Sequence, residues 1–201
     1  MLEPSRFDRR TSEHSREPSF KMSSAQLGML ILLASLSILF AASLVAHAVT
    51  RAESESWPDA RAPGLLVGLS SVSVTLVAIS AALHAALHAV RKNRFSSVVR
   101  ALGLSLVLVG VFLLIQGHNW DLVARAQAGV QSTSLYLFTF YLLTVLHAVH
   151  VAAGIVPLAI VFSRARRKEY TSSRYDGLRF CAQYWDFLLA VWAVLVVVVS
   201  S

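Results

Sequence analysis

Residues 135–162 decide the fold, and they read LYLFTFYLLTVLHAVHVAAGIVPLAIVF. The stretch contains no Asp, Glu, Lys or Arg, and Pro157 is its only proline. About 20 consecutive apolar residues in an α-helix cross the ~30 Å hydrocarbon core of a bilayer. Because this stretch is longer, the sequence predicts a transmembrane helix that tilts or extends beyond the bilayer.

Four other segments are also apolar and nearly free of charge. The five predicted spans are residues 25–49, 63–90, 101–117, 135–162 and 180–199. Hydrophobic residues make up 56% of the chain and charged residues only 14%, whereas about a quarter of a soluble domain is charged. In lipid, each span must satisfy its own backbone hydrogen bonds. The sequence therefore predicts an all-α membrane protein, a bundle of five transmembrane helices.

The distribution of Lys and Arg predicts the orientation of this bundle. Fifteen of the 18 basic residues lie before the first span, between the second and third spans, or between the fourth and fifth. The other three are Arg51, Arg61 and Arg125. Because Lys and Arg accumulate in cytoplasmic loops, we expect a cytoplasmic N-terminus and an external C-terminus. Residues 1–22 are expected to be a disordered cytoplasmic tail, and residues 23–201 the transmembrane domain.

Charge and cysteine content exclude several classes of function. The net charge is +7, but the basic residues form short clusters between apolar segments, so no nucleic-acid partner is expected. Cys181 is the only cysteine. It cannot form an intrachain disulfide, and the chain has no cysteine set for an iron–sulfur cluster or a covalently attached haem.

Histidines are the first candidates for chemistry, because transmembrane bundles use them to hold haem. His147 and His150 lie three residues apart and therefore share a helix face. A bis-histidine haem needs two imidazoles at equal depth on facing helices, and only His47 with His118 meets that requirement. A b-type haem membrane anchor is therefore an alternative function, although hydrogen bonding of these histidines to neighbouring helices or interfacial water is favoured. No carboxylate or cysteine accompanies these histidines, so no metal site is predicted.

Asp186 is the only acidic residue within the five predicted spans. An intramembrane acid is costly and is a functional candidate by default, for example in proton handling or in contact with a lipid headgroup. The favoured interpretation is an interhelical pair, for example with His84, which lies at similar depth on the second span.

Read together, four of the spans resemble subunit III of the haem–copper oxidases, in the five-helix bacterial form. LHAVHVAAG at 146–154 is similar to the family's His-Gly-x-His-Val-x-x-Gly segment. YWDF at 184–187, followed by VW at 191–192, is similar to Tyr-Trp-His-Phe-Val-Asp-x-Val-Trp. FLLIQGHNW at 112–120 is similar to Phe-Leu-x-x-Gln-x-x-Glu-Trp, and the first span also fits.

The chain departs from the family pattern mainly at acidic positions. The family's glutamate in the first span is replaced by Leu36, and its glutamate before the tryptophan by Asn119. The last motif has Asp186 and Leu189 where the family has His and Asp, and Ala148 replaces a glycine. One hypothesis is that the acid has moved from position 36 to position 186.

The resemblance implies a non-catalytic subunit that packs on subunit I and holds phospholipid in the bacterial cytoplasmic membrane. Haem and copper are then expected in the partner subunits I and II, with no cofactor in this chain. Within the same resemblance, an alternative is a subunit III-like protein associated with nitric oxide reductase. The residues implied in lipid or subunit contacts are His147, His150, Gly154, Gln116, Trp120, Tyr184, Trp185, Asp186 and Trp192.

Overall fold

Five long α-helices form the protein in a computed structural model, which describes residues 24–53, 65–126, 135–170 and 175–200. The helices are α1 (Ser24–Glu53), α2 (Leu65–Arg91), α3 (Phe95–Ala126), α4 (Leu135–Arg166) and α5 (Asp176–Ser200). Each is long and apolar enough to cross a membrane. The predictions of an all-α fold and of five spans are therefore confirmed. The predicted tail at residues 1–22 lies outside the described residues.

Apart from α2, each helix is longer than the apolar segment that predicted it, and the difference is largest for α3. The predicted span at residues 101–117 was too short, because α3 continues for several residues at both ends. At one end Arg100 folds back along its own helix, with its Nε 3.4 Å from the Ser96 carbonyl oxygen. At the other, Arg125 pairs with Asp121 at 2.9 Å, one helical turn away. Charged side chains mark where the apolar core ends, but they do not stop a helix.

Two helices end where one residue adopts a left-handed conformation. Asn93, with φ of 53°, follows α2, and Lys168, with φ of 56°, follows α4. After α2, the amide of Arg94 donates to the Ala89 carbonyl at 2.9 Å. The same pattern follows α4 and is typical of a Schellman cap, which satisfies the last carbonyls of a helix.

Helices α2, α3, α4 and α5 form a ring in which each contacts the next, and α5 closes on α2. Among the described residues, α1 lies outside this ring and contacts only α4 and α5. The core fills the ring with large side chains, including Phe112, Phe140, Trp185 and Trp192. Most of the surface of α1 is exposed and aliphatic, as expected for a helix in contact with lipid.

Most of the described basic residues lie at one end of the bundle. Arg94, which follows α2, lines a surface pocket together with Arg166 and Lys168 from the end of α4. The guanidinium of Arg91 lies 5.8 Å from the ring centroid of Tyr175, which directly precedes α5. We call this end, with residues 91–94, 164–168 and the start of α5, the basic end.

Candidate functional site

The contact between α4 and α5 is built around a glycine. A Cβ atom at Gly154 would lie 2.9 Å from Cε1 of Tyr184 and 3.1 Å from Cζ2 of Trp185, so only glycine lets the helices approach this closely. The Tyr184 hydroxyl donates a 2.8 Å hydrogen bond to the backbone carbonyl of His150. The histidine's own Nδ1 lies 2.7 Å from the Leu146 carbonyl, one turn back along α4. These motif residues therefore join two helices.

His147 lies at the centre of the bundle and is fully buried. Its ring centroid is 5.1 Å from that of Trp192, 6.1 Å from that of Phe112 and 6.2 Å from that of Phe40. Neither of its ring nitrogens has a hydrogen-bond partner among the described residues. His147 thus serves as an aromatic residue that packs against three other helices.

Trp192 also joins two helices by a hydrogen bond. Its indole donates to the Ser73 hydroxyl at 2.9 Å, which joins α5 to α2.

The motif on α3 contacts both neighbouring helices. Trp120 donates from Nε1 to the Thr144 hydroxyl at 3.1 Å, and its backbone carbonyl accepts from the Tyr141 hydroxyl at 3.1 Å. Asn119 packs its amide directly against Gly68 of α2, leaving no space for a Cβ there. Gln116 is buried, and its amide group has no hydrogen-bond partner among the described residues.

Asp186 forms the interhelical pair that the sequence favoured. Its Oδ2 lies 3.0 Å from Nε2 of His84, and its Oδ1 accepts a 2.5 Å hydrogen bond from the Ser80 hydroxyl. The prediction of a pair with His84 is therefore confirmed. Sequence analysis did not identify Ser80, because a serine in an apolar helix usually bonds to its own backbone and gives no signal of an interhelical role.

An apolar cleft of about 480 Å³ opens between α1, α4 and α5 near the basic end. The side chains that line it include Met29, Leu36, His150, Ala153, Pro157, Phe180 and Tyr184. The hypothesis of an acid moved from position 36 to position 186 stays a prediction, although the two positions face different surroundings. Leu36 faces this cleft, whereas Asp186 contacts α2 on another side of α5, so its carboxylate does not occupy the same environment.

The histidine pair considered for haem does not come together. His47 lies on α1 and is buried, whereas His118 lies on α3 and is exposed. Among the described residues α1 and α3 have no contact, because α4 and α5 are the neighbours of α1. The structure therefore gives no support to a bis-histidine site formed by these two residues. Within the same residues, no group of three or more His, Cys, Asp or Glu side chains is placed to hold a metal ion.

Some functional positions had only a weak signal in the sequence. Gly68, Ser73 and Thr144 are small residues in apolar spans, and many such residues occur in this chain. Only their neighbours in space, Asn119, Trp192 and Trp120, distinguish them. Taken together, the fold and these contacts define a multi-pass, all-α membrane protein in which several motif side chains join neighbouring helices.

Comparison with known proteins identifies the family. A family model described as cytochrome c oxidase subunit III matches residues 17–201. The chain is 27% identical over 188 residues to cytochrome c oxidase subunit 3 of Synechocystis sp., covering 92% of this chain and 77% of that protein. It is 25% identical over 185 residues to the protein of the same name from Thermostichus vulcanus, covering 91% and 88%. The human protein of that name is 30% identical over 133 residues, covering 66% and 49%. The chain belongs to the cytochrome c oxidase subunit III family.

Proposed function

We propose that the chain is the accessory third subunit of a haem–copper terminal oxidase and binds no redox cofactor itself. The observation that carries this proposal is that its motif residues join helices. Gly154 accommodates Trp185, Tyr184 bonds to α4, and Trp192 bonds to α2. Such an arrangement suits a rigid partner subunit, while oxygen chemistry belongs to subunits I and II, where haem and copper are expected.

The decisive experiment is co-isolation of the oxidase from native membranes in mild detergent, using a tag on this chain. We expect a haem-bearing multi-helix subunit and a subunit II to accompany it. We also expect the chain on its own to show no stoichiometric haem absorbance. Recovery of the chain without a haem-bearing partner would contradict the proposal. A dicopper signal in the co-isolated subunit II would identify cytochrome c as the electron donor, and a nitric oxide reductase partner would identify the alternative complex.

The proposed orientation places the basic end in the bacterial cytoplasm. Most of the described basic residues lie at that end, and short cytoplasmic loops are enriched in Lys and Arg. We expect a reporter fused to the N-terminus to be cytoplasmic and one fused to the C-terminus to be external. Detection of both reporters on the same side of the membrane would contradict both the odd number of membrane crossings and the proposed orientation.

The proposed lipid site is the cleft between α1, α4 and α5. Its lining is mainly apolar and it opens near the basic end, so the site suits an acyl chain with a phosphate headgroup at that end. His150 and Tyr184 line this cleft. Ala153→Trp should fill it, whereas Ala152→Trp, at an exposed position next to it in sequence, should not. Mass spectrometry of the purified complex should show loss of a tightly bound phospholipid only in the first variant. Equal retention in both would contradict this site.

A further inference from the structure

The pair of His84 and Asp186 is exposed on the side of the bundle at a depth where lipid would surround it. Seven residues separate Asp186 from Arg179 on α5, and seven separate His84 from Arg91 on α2. At a rise of 1.5 Å per residue, each distance is about 10 Å. Nevertheless, 57% of the His84 side chain and 40% of the Asp186 side chain are exposed. Because hydrocarbon offers no hydrogen bonds, polar side chains in this position normally face protein.

The surface around the pair is composed mainly of small and polar residues, with the partly exposed Phe187 beside them on α5. The exposed positions on α2 recur every three or four residues and so lie on one face of that helix, and the same is true on α5. These two faces lie side by side at the His84–Asp186 pair. We call the two faces together the α2–α5 surface, and its small or polar residues that are exposed or partly exposed are Ala81, His84, Ala85, His88, Gln183, Asp186, Ala190 and Ala193. Small side chains let helices in a bilayer approach closely, and polar side chains add hydrogen bonds between them.

Other exposed faces of the protein differ in character. Large aliphatic side chains are exposed along α1, α3 and α4, for example Ile38, Leu114 and Val149. On α2 the last exposed side chain of this kind is Val77, and on α5 the first is Val194. The α2–α5 surface lies between these two valines, which are at similar depth, and the basic end. The exposed faces of α1, α3 and α4, with their large aliphatic side chains, therefore suit contact with lipid, whereas the α2–α5 surface suits contact with a protein helix.

We propose that a transmembrane helix of the haem-bearing oxidase subunit docks on the α2–α5 surface, an inference that rests on the proposed function. The partner helix should carry small residues where it crosses α2 and α5, and a hydrogen-bonding side chain at the depth of the pair. Asp186 has capacity for that bond. A carboxylate offers about four acceptor positions, and here it is contacted by only the Ser80 hydroxyl and one nitrogen of His84 among the described residues.

Tryptophan substitution provides the first test. Ala81→Trp and Ala190→Trp add bulk to the α2–α5 surface, and Ala152→Trp makes the same change on α4 beside exposed aliphatic side chains. The yield of haem-bearing subunit co-isolated per tagged chain is measured by absorbance. We expect about a tenfold loss for the two surface variants, which corresponds to 1.4 kcal/mol, and no loss for the control. Retention of the haem-bearing subunit by both surface variants would overturn the inference, whatever the control variant shows.

Cross-linking provides a second test that does not depend on the tryptophan variants folding. Photoreactive p-benzoylphenylalanine is introduced at Gln183 on the surface or, as a control, at Leu114 on α3, which is 76% exposed. After illumination of native membranes, the Gln183 variant should cross-link to the haem-bearing subunit and the Leu114 variant should not. Cross-linking from Gln183 only to lipid or to a second copy of this chain would overturn the inference. If the wild-type chain still co-isolates with that subunit, the proposed function stands; if it does not, both fail.

Discussion

Replacement of Gly154 by alanine tests whether close packing of α4 on α5 stabilises the bundle. The added Cβ would meet Tyr184 at 2.9 Å and Trp185 at 3.1 Å, well inside the 3.5–4.0 Å at which carbon atoms attract. Trp185 is only 1% exposed, so its ring has little room to move aside. Such overpacking typically costs about 1–3 kcal/mol. Alanine also gains about 1 kcal/mol of helix propensity over glycine, so the net loss should be at most about 2 kcal/mol.

Gly110→Ala is the matched control, because a Cβ at Gly110 meets nothing within 4 Å. It should stabilise the protein by about 1 kcal/mol through the same gain in propensity. The difference between the two variants isolates the steric cost at Gly154. Thermal unfolding of the purified chain in detergent measures it, with about 2–4 °C in Tm for each kcal/mol in a chain of this size. Equal shifts in Tm for both variants would refute the reasoning.

Two further contacts give predictions of the same kind. Gly68→Ala should lower Tm because the added Cβ would meet the Asn119 amide. Adding Asn119→Ala should restore part of the lost stability. A double variant no more stable than Gly68→Ala would contradict this steric account. Trp192→Phe and Ser73→Ala should each destabilise the chain, and a double-mutant cycle should give a coupling of about 0.5–1.5 kcal/mol for the 2.9 Å hydrogen bond. A coupling near zero would show that this bond contributes nothing to the α2–α5 contact.

The number of helices and their approximate positions could be predicted from the sequence, because a bilayer excludes charge from each span. The ends of the helices could not. Hydropathy reports where the apolar core stops, whereas α2 and α4 end where Asn93 and Lys168 turn the backbone. Asparagine adopts this conformation more readily than most residues, but lysine gives no such signal. The extension of α3 was missed because Arg100 is compatible with a helix that leaves the membrane.

Depth along each helix was predictable, but the neighbours of each helix were not. Counting residues from the charged ends placed His84 and Asp186 at one level, and the two side chains do meet. The same counting paired His47 with His118, and these lie on helices that do not touch. Depth restricts which residues could meet, whereas packing order and the face of each helix decide which residues do. A sequence of five similar apolar spans carries little information on that order.

The pairing of His84 with Asp186 explains how an acid is accommodated where the family motif has histidine. Removing one member of a polar pair leaves the other unsatisfied, at about 1–3 kcal/mol, whereas replacing both by apolar residues is nearly neutral. His84→Leu should therefore lower Tm of the chain in detergent, because Asp186 would keep only Ser80. Adding Asp186→Leu should restore most of the loss. If the double variant instead loses as much as the two single variants together, the two side chains are independent. The acid would then need a partner outside α2, and the interhelical pair would not be the reason it is tolerated.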